Sequence, residues 1–139
     1  MSYCLYAFTN MHVTGIHAGI QAAHAVVDMH RKYESRCDND PGALAKLLTY
    51  NDWADNHKTM RIFNGGTSAN LNTIYRSLLQ CAVELNLPVG KFHESGLEGA
   101  LTAICIVVPM QVEEYQKTLG SPLAKLHTVL AQHTARYAS

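Results

Sequence analysis

The chain has 139 residues, which suits one domain, and 47% of them are hydrophobic, enough to fill a core. Eleven Lys and Arg balance eleven Asp and Glu. This neutrality argues against a dedicated nucleic-acid binder, whose domain is usually basic, but it is compatible with a local basic patch. The N-terminus lacks the basic and apolar regions of a signal peptide, and no apolar run reaches the roughly 18 residues that span a membrane. We therefore expect one cytoplasmic domain over residues 1–139, without membrane contact.

Hydrophobic periodicity and turn residues divide the chain into strands and helices. In chain order the predicted elements are strand Tyr3–Phe8, helices Thr14–Tyr33 and Pro41–Tyr50, strand Lys58–Phe63, helix Ser68–Leu85, strands Val89–Glu94 and Thr102–Pro109, and helices Gln111–Leu119 and Leu123–Ala135. Because strands alternate with helices, we expect an α/β fold of three layers, with helices on both faces of a four-stranded sheet. The short connection after Glu94 predicts that the last two strands are antiparallel and the sheet mixed.

The first helix carries a row of polar side chains on an otherwise apolar surface. His17, Gln21, His24 and Asp28 lie three or four residues apart, so they share one face, and Thr14 is the expected N-cap. A helix so rich in alanine and aliphatic residues is expected to be buried, where polar groups need partners or a cleft. A buried His24 bonded to a backbone carbonyl is the structural alternative. Metal binding is the weaker interpretation because His17 and His24 are nearly two turns apart, so we predict no metal site.

The four cysteines are scattered, without a Cys-x-x-Cys pair, and are expected to be free thiols in a reducing compartment: Cys4, Cys37, Cys81 and Cys105. The strand-to-helix turn Asn64–Ser68 could bind an anion, because Gly65 and Gly66 would let a phosphate approach free helix amides. It lacks the Lys-Ser/Thr ending of a P-loop, so plain turn chemistry is the competing interpretation.

The rim of the sheet offers a further group of polar residues. Glu94 ends one predicted strand and Thr102 begins the next, so the two side chains could meet at one rim. A solvated hairpin loop is the alternative. Lys58 and Lys91 lie in neighbouring strands and could supply positive charge to a ligand, although a solvated face explains them equally well.

The order of these pieces resembles the type II peptidyl-tRNA hydrolase family of archaea and eukaryotes. The first helix of that family has the pattern Gly-Lys-x-Ala-Ala-Gln-x-x-His-Ala, which Ile16–Ala25 matches at Gln21, His24 and Ala25. The following features occur in the same order, over about Tyr3 to Pro109: a tryptophan before the second strand (Trp53), a Leu-Pro connection (Leu87-Pro88), an acidic-x-Gly loop (Glu94-Ser-Gly96) and a last strand that ends in proline (Pro109).

The chain departs from this pattern at three positions. His17 replaces the helix lysine, so a permanent cation becomes a titratable group. Glu94 replaces an aspartate, and the segment Leu97–Leu101 is shorter than the family's Arg-Thr-Gln-Ile-Ala-Pro-Gly. These differences indicate a divergent relative, such as the small bacterial or viral proteins of this fold.

The resemblance implies hydrolysis of the ester bond in peptidyl-tRNA or N-blocked aminoacyl-tRNA, without a cofactor. By position, His17 or Glu94 would be the general base or its orienter, Gln21 would place the water or carbonyl, and Thr102 would be an auxiliary donor. His24 would brace the helix against the loop, and the binding residues would include Gly65, Gly66, Lys58 and Lys91.

Two other functions are compatible with the sequence. A non-catalytic module that binds a nucleotide or RNA is favoured by the missing lysine, the shortened loop and the neutral charge. A protein-interaction module or homodimer could use the apolar stripe of the last helix, at Leu123, Leu126 and Leu130, although such stripes more often pack in the core.

Overall fold

The computed structural model describes residues 2–109 and 121–138. Its strands and helices, in chain order, are β1 (Tyr3–Thr9), α1 (Ile16–Arg36), α2 (Pro41–Asp52), β2 (Met60–Asn64), α3 (Ser68–Leu85), β3 (Val89–Glu94), β4 (Ala100–Pro109) and α4 (Pro122–His133). A π-helical turn, Trp53–His57, follows α2, and a 3-10 turn, Ser95–Leu97, connects β3 to β4. The predicted helix Gln111–Leu119 lies outside the described residues.

The strands form one mixed sheet in the order β2-β1-β4-β3. Strand β1 pairs in parallel with β2 and antiparallel with β4, and β3 pairs antiparallel with β4. Helices α1 and α2 pack on one face of the sheet, and α3 and α4 on the other. The prediction of a three-layer α/β fold with an antiparallel last pair is therefore confirmed.

The central strand β4 explains why its sequence is a continuous apolar run. Its side chains alternate between the two helical layers, with Ile104 and Ile106 facing α3, and Ala103 and Cys105 facing α1. Both faces are thus covered, and the strand needs no polar side. None of the described helices has the length and apolar character needed to cross a bilayer.

Helix α1 packs on the sheet through its smallest residues. Ala18, Ala22 and Ala25 are buried, and a glycine of β3 packs against the helix: a Cβ atom at Gly90 would lie 2.6 Å from Cβ of Met29. The expectation that the aliphatic residues of this helix are buried is wrong for one row, since Ile16, Ile20, Ala23 and Val27 are exposed. The helix lies close to β3 because its contact face carries small side chains.

The N-terminus of α1 differs from the prediction. Helix α1 is preceded by Gly15, which has φ of 59° and gives no side-chain cap, so Thr14 is not the N-cap. A positive φ at this position favours glycine and sets the turn between β1 and α1.

In α4, Leu126 and Leu130 are buried against the core that α3 covers, so most of the apolar stripe of this helix is core packing.

Candidate functional site

A cavity of about 420 Å³ opens where α1 begins, beside the ends of β1 and β3. Strands β1 and β3 run in the same direction, because each is antiparallel to β4. The segment after β1 and the turn after β3 therefore lie at the same rim of the sheet. The residues that line the cavity are His12, Val13, Thr14, His17, Gln21, Glu94, Gly96 and Leu97. The structure thus brings together three of the predicted catalytic residues: His17, Gln21 and Glu94.

Three side chains at this rim form a continuous series of hydrogen bonds, which we call the Thr102–Gln21–Glu94 chain. The Thr102 hydroxyl donates to Oε1 of Gln21 at 2.6 Å, and Nε2 of Gln21 donates to Oε2 of Glu94 at 3.2 Å. The ionised carboxylate can only accept, so the amide must turn its NH₂ group towards Glu94 and its oxygen towards Thr102. The direction of every bond in the chain is therefore fixed.

The chain connects three elements that are far apart in sequence. Thr102 lies on β4 and is 1% exposed, and Gln21 lies on α1 and is 9% exposed, whereas Glu94 ends β3 and reaches the cavity. The prediction that Glu94 and Thr102 meet at one rim is right in position, but Gln21 lies between them. The Thr102 hydroxyl points into the protein, so it acts on the cavity through Gln21.

Hydrogen bonds hold Glu94 in its ionised form. The Gly96 N–H donates to Oε1 at 3.1 Å, and this bond, followed by that from Gln21, lowers the pKa of the Glu94 carboxyl. A donor to the charged form stabilises it relative to the acid. Glu94 is therefore a carboxylate at neutral pH, suited to accept and orient hydrogen bonds, and a weaker proton acceptor than an ordinary glutamate.

The backbone around Glu94 explains its position. The register of β3 against β4 shifts between Phe92 and His93, and such a bulge turns the side chains that follow it. Glu94 then caps the 3-10 turn, where a Cβ at Gly96 would come within 3.3 Å of Oε1 of Glu94. The acidic-x-Gly motif thus has a steric reason, because glycine lets its amide approach the carboxylate. The solvated-hairpin alternative does not describe Glu94, whose two oxygens both accept bonds from the protein.

Two histidines, His12 and His17, also line the cavity. His17 lines the cavity from the first turn of α1, and its side chain is exposed. His12 lines it from the segment after β1, and sequence reasoning missed this residue. That segment is anchored by Asn10, whose Oδ1 accepts from the His12 N–H at 3.0 Å and whose Nδ2 donates to the Leu101 carbonyl at 3.2 Å. The signal that could have identified His12 is its place just beyond the carboxyl end of a strand, where α/β proteins collect ligand-binding residues.

His24 does not line the cavity and is not a buried histidine. Its exposed ring stacks on Phe92, with 4.5 Å between centroids and 16° between planes. The contact packs α1 against β3, so His24 braces the helix against a strand rather than against the loop. Two predictions for His24 are therefore corrected: it is not buried, and it packs against strand β3 instead of the loop.

In the glycine turn at the start of α3, the backbone N–H groups of both glycines donate to acceptors within the protein. The Gly65 N–H donates to the Thr9 carbonyl at 2.7 Å, and the Gly66 N–H donates to Oδ1 of Asn64 at 2.9 Å. A side chain at Gly65 would collide with Leu71. Neither glycine lines the Glu94 cavity. These contacts fit plain turn chemistry and leave the predicted phosphate-binding role without a free amide at either glycine.

The two lysines predicted to supply charge also lie away from this cavity. Lys58 precedes β2 beside the first residues of β1, since the Leu5 N–H donates to the Thr59 carbonyl, and this is the other end of the sheet from Glu94. Lys91 projects from β3 towards α3, with Nζ 4.9 Å from the centre of the Tyr75 ring. They are therefore not part of the site around Glu94.

Cysteine and metal chemistry have little support at this rim. All four cysteines are free, and three of them are buried. Burial raises the pKa of the Cys105 thiol to about 12. Within residues 2–109 and 121–138, no three His, Cys, Asp or Glu side chains are grouped so that they could hold a metal ion.

No protein-family model matches this chain, and no curated protein matches it either.

Proposed function

We propose that the protein hydrolyses the ester bond of peptidyl-tRNA or an N-blocked aminoacyl-tRNA at the cavity around Glu94. The observation that supports the proposal best is the Thr102–Gln21–Glu94 chain. The resemblance implies catalytic roles for these three residues, and they are joined by direct hydrogen bonds beside a cavity that also contains His17. The expected cytoplasmic location is where such a substrate occurs.

The proposed reaction begins with a water molecule in the cavity. The water must lose a proton as its oxygen attacks the ester carbonyl carbon. His17 takes this proton, because imidazole is the side-chain type that exchanges protons near neutral pH. The same imidazolium then gives the proton to the departing ribose oxygen when the carbon–oxygen bond breaks. Glu94 has a lowered pKa, so it orients the water as an acceptor instead of carrying the proton.

Gln21 supplies the hydrogen-bond donor for the carbonyl oxygen. Its amide nitrogen has two hydrogens, and Glu94 accepts one of them. Gln21 lines the cavity, so the second hydrogen is the proposed donor to the carbonyl oxygen, on which negative charge develops in the transition state. Thr102 is a positioning residue, since its hydroxyl fixes the orientation of the Gln21 amide.

The test is release of the acyl group from N-acetylaminoacyl-tRNA by the purified protein. We expect His17→Ala to lower kcat by about 10²-fold or more, as for loss of a general base. Gln21→Ala should lower it by about 10²- to 10³-fold, as for loss of an oxyanion donor. His30→Ala is the matched control, because His30 lies on the same helix but stacks on Tyr50 away from the cavity. Release that survives both His17→Ala and Gln21→Ala would refute the catalytic assignment.

A non-catalytic binding module is the second candidate, and one observation favours it. Glu94 and Gln21 already satisfy each other, and the lowered pKa of Glu94 weakens it as a base. A binding module predicts that N-acetylaminoacyl-tRNA or a nucleotide is retained without release. Retention that is lost in His17→Ala, together with no ester cleavage by the unaltered protein, would select this candidate.

A further inference from the structure

A second cavity, of about 220 Å³, lies at the exposed edge of β3 between α1 and α3. It is lined by Asp28, Met29, Lys32, Tyr75, Gly90 and Lys91, and none of these lines the Glu94 cavity. Gln21 and Lys32 are on the same helix, so the two sites are about 16 Å apart at a rise of about 1.5 Å per residue. We call this second site the Lys32 cavity.

Four cations from three elements lie in or near the Lys32 cavity: Lys32 and Lys91 line it, and the charges of Arg36 and Lys46 are close enough to act on Lys32. Lys32 and Arg36 lie on α1, Lys46 lies on α2, and Lys91 lies on β3. Among the residues that the structure describes, the ion pairs within 4.0 Å all involve histidines, so none of these four cations is paired with a carboxylate. The neutral chain thus carries a local excess of positive charge at this edge.

The Lys32 ammonium is the member of this group that is held in place. Its Nζ donates to the Val89 carbonyl at 2.9 Å and lies 4.7 Å from the centre of the Tyr33 ring. Nζ of Lys46 lies 5.5 Å from the same ring centre. Two ammonium groups therefore converge on the Tyr33 ring, and Lys91 lines the cavity from β3.

This arrangement is unfavourable for the cations as it stands. Burial, followed by the charges of Arg36, Lys46 and Lys91, lowers the pKa of the Lys32 amine. An anion in the cavity would add an attraction to the Lys32 ammonium that opposes its repulsion by the other cations. Lysine binds phosphate as a point charge. Asp28 also lines the cavity, and its carboxylate would repel an anion from its own side.

We propose that the Lys32 cavity binds a phosphate group, held by Lys32 and Lys91, with the nearby Lys46 ammonium adding positive charge. The phosphate can belong to a nucleic-acid strand whose end occupies the Glu94 cavity, or to a free mononucleotide. The first source rests on the proposed function, whereas the phosphate site itself does not. A strand that contacts both sites would pass along α1 and β3 for the 16 Å or so between them.

The experiment measures binding by fluorescence anisotropy, with a fluorescein-labelled oligoadenylate of about 12 nucleotides as the probe. The salt dependence of the affinity counts phosphate contacts, because its slope changes by about 0.7 for each contact with a single strand. We expect the double variant Lys46→Ala/Lys91→Ala to bind more weakly and, because the cavity holds one phosphate group, to have a slope lower by up to about 0.7. Asp28→Asn should bind more tightly. Lys125→Ala, on the exposed side of α4, is the matched control and should leave the slope unchanged.

A second arm titrates AMP and inorganic phosphate, with the Gly90 amide resonance as the readout. If the double variant loses affinity only for the oligonucleotide, the bound phosphate belongs to a nucleic-acid strand. If it loses affinity only for AMP or inorganic phosphate, the site binds a free phosphate. If the double variant behaves like Lys125→Ala in both arms, the phosphate site is refuted. Neither arm requires ester cleavage, so the phosphate site can be tested even if the protein does not hydrolyse N-acetylaminoacyl-tRNA. If the protein does hydrolyse it but binding does not depend on the lysines, only the phosphate site is refuted.

Discussion

Replacing Thr102 by valine tests the buried end of the Thr102–Gln21–Glu94 chain. Thr102 is 1% exposed, and its hydroxyl donates to Oε1 of Gln21 at 2.6 Å. Valine has nearly the same shape, so the substitution removes the donor without opening a cavity. The buried oxygen of Gln21 then loses its partner, which costs about 1–3 kcal/mol. For a chain of this size, each kcal/mol shifts Tm by about 4 °C, so we expect Tm to fall by about 4–12 °C.

The same substitution has a consequence at Glu94, which is the more specific measurement. Without the Thr102 hydroxyl, the Gln21 amide is free to rotate, and its hydrogen bond to Glu94 weakens. The pKa of the Glu94 carboxyl should therefore rise towards its ordinary value, because that bond helps to lower it. Titration of the Glu94 carboxyl carbon by NMR reports this change. Thr102→Ser is the matched control, since it keeps the hydroxyl and should keep the low pKa of Glu94.

The result that would refute this reasoning is equally specific. If Thr102→Val and Thr102→Ser gave the same pKa for Glu94, the hydroxyl would not orient the amide. An unchanged Tm in Thr102→Val would further show that Gln21 has no buried bond to lose. The positioning role of Thr102 in the proposed reaction would then have no basis.

Three further outcomes are expected. The fold lowers the pKa of Glu94, so its carboxylate stabilises the protein above the ordinary value of 4.5 and loses this effect as the pH falls through the folded-state value. The difference in Tm between the unaltered protein and Glu94→Gln should therefore shrink on acidification, and a constant difference would contradict it. Gly90→Ala should lower the free energy of unfolding in urea by about 1–3 kcal/mol through overpacking, whereas Gly19→Ala, with open space around it, should raise it by about 0.5–1 kcal/mol. A thiol reagent should label Cys37 in the native protein, but Cys105 only after unfolding, because burial raises the pKa of the Cys105 thiol to about 12; mass spectrometry of labelled peptides would expose early labelling of Cys105.

Local sequence patterns were sufficient for most of the secondary structure. The predicted bounds of the helix Ser68–Leu85 and the strand Val89–Glu94 are those of α3 and β3, because a capping turn and Pro88 delimit them. The antiparallel pairing of β3 with β4 followed from a short connection. These features depend on residues that are close in sequence.

The orientation of α1 could not be predicted in the same way. The helix has two apolar stripes, one aliphatic and one of alanines, and periodicity alone does not say which faces the sheet. The alanine stripe is the buried one because Gly90, far along the chain, allows the closest approach. The exposed Ile16 and Val27 therefore reflect a long-range packing choice.

Sequence patterns pointed to His17, Gln21 and Glu94 at the candidate site, but not to His12 or to the bonding. The helix pattern and the acidic-x-Gly loop pointed to Gln21 and Glu94, which are 73 residues apart and share a hydrogen bond. The inward direction of the Thr102 hydroxyl depends on the depth of β4 between two layers, which no local pattern contains. The cations near Lys32 come from three elements, so no local pattern indicates their convergence.

The contacts between α1 and β3 preorganise the candidate site. At one end of the helix, the Tyr33 hydroxyl both accepts from the Val89 N–H and donates to the Val89 carbonyl, each at 3.0 Å. At the other end, Gln21 bonds to Glu94, and Gly90 permits close packing between these two points. The helix is thus fastened to the strand at two places, so the Gln21 amide and the Glu94 carboxylate are held in position before any ligand binds.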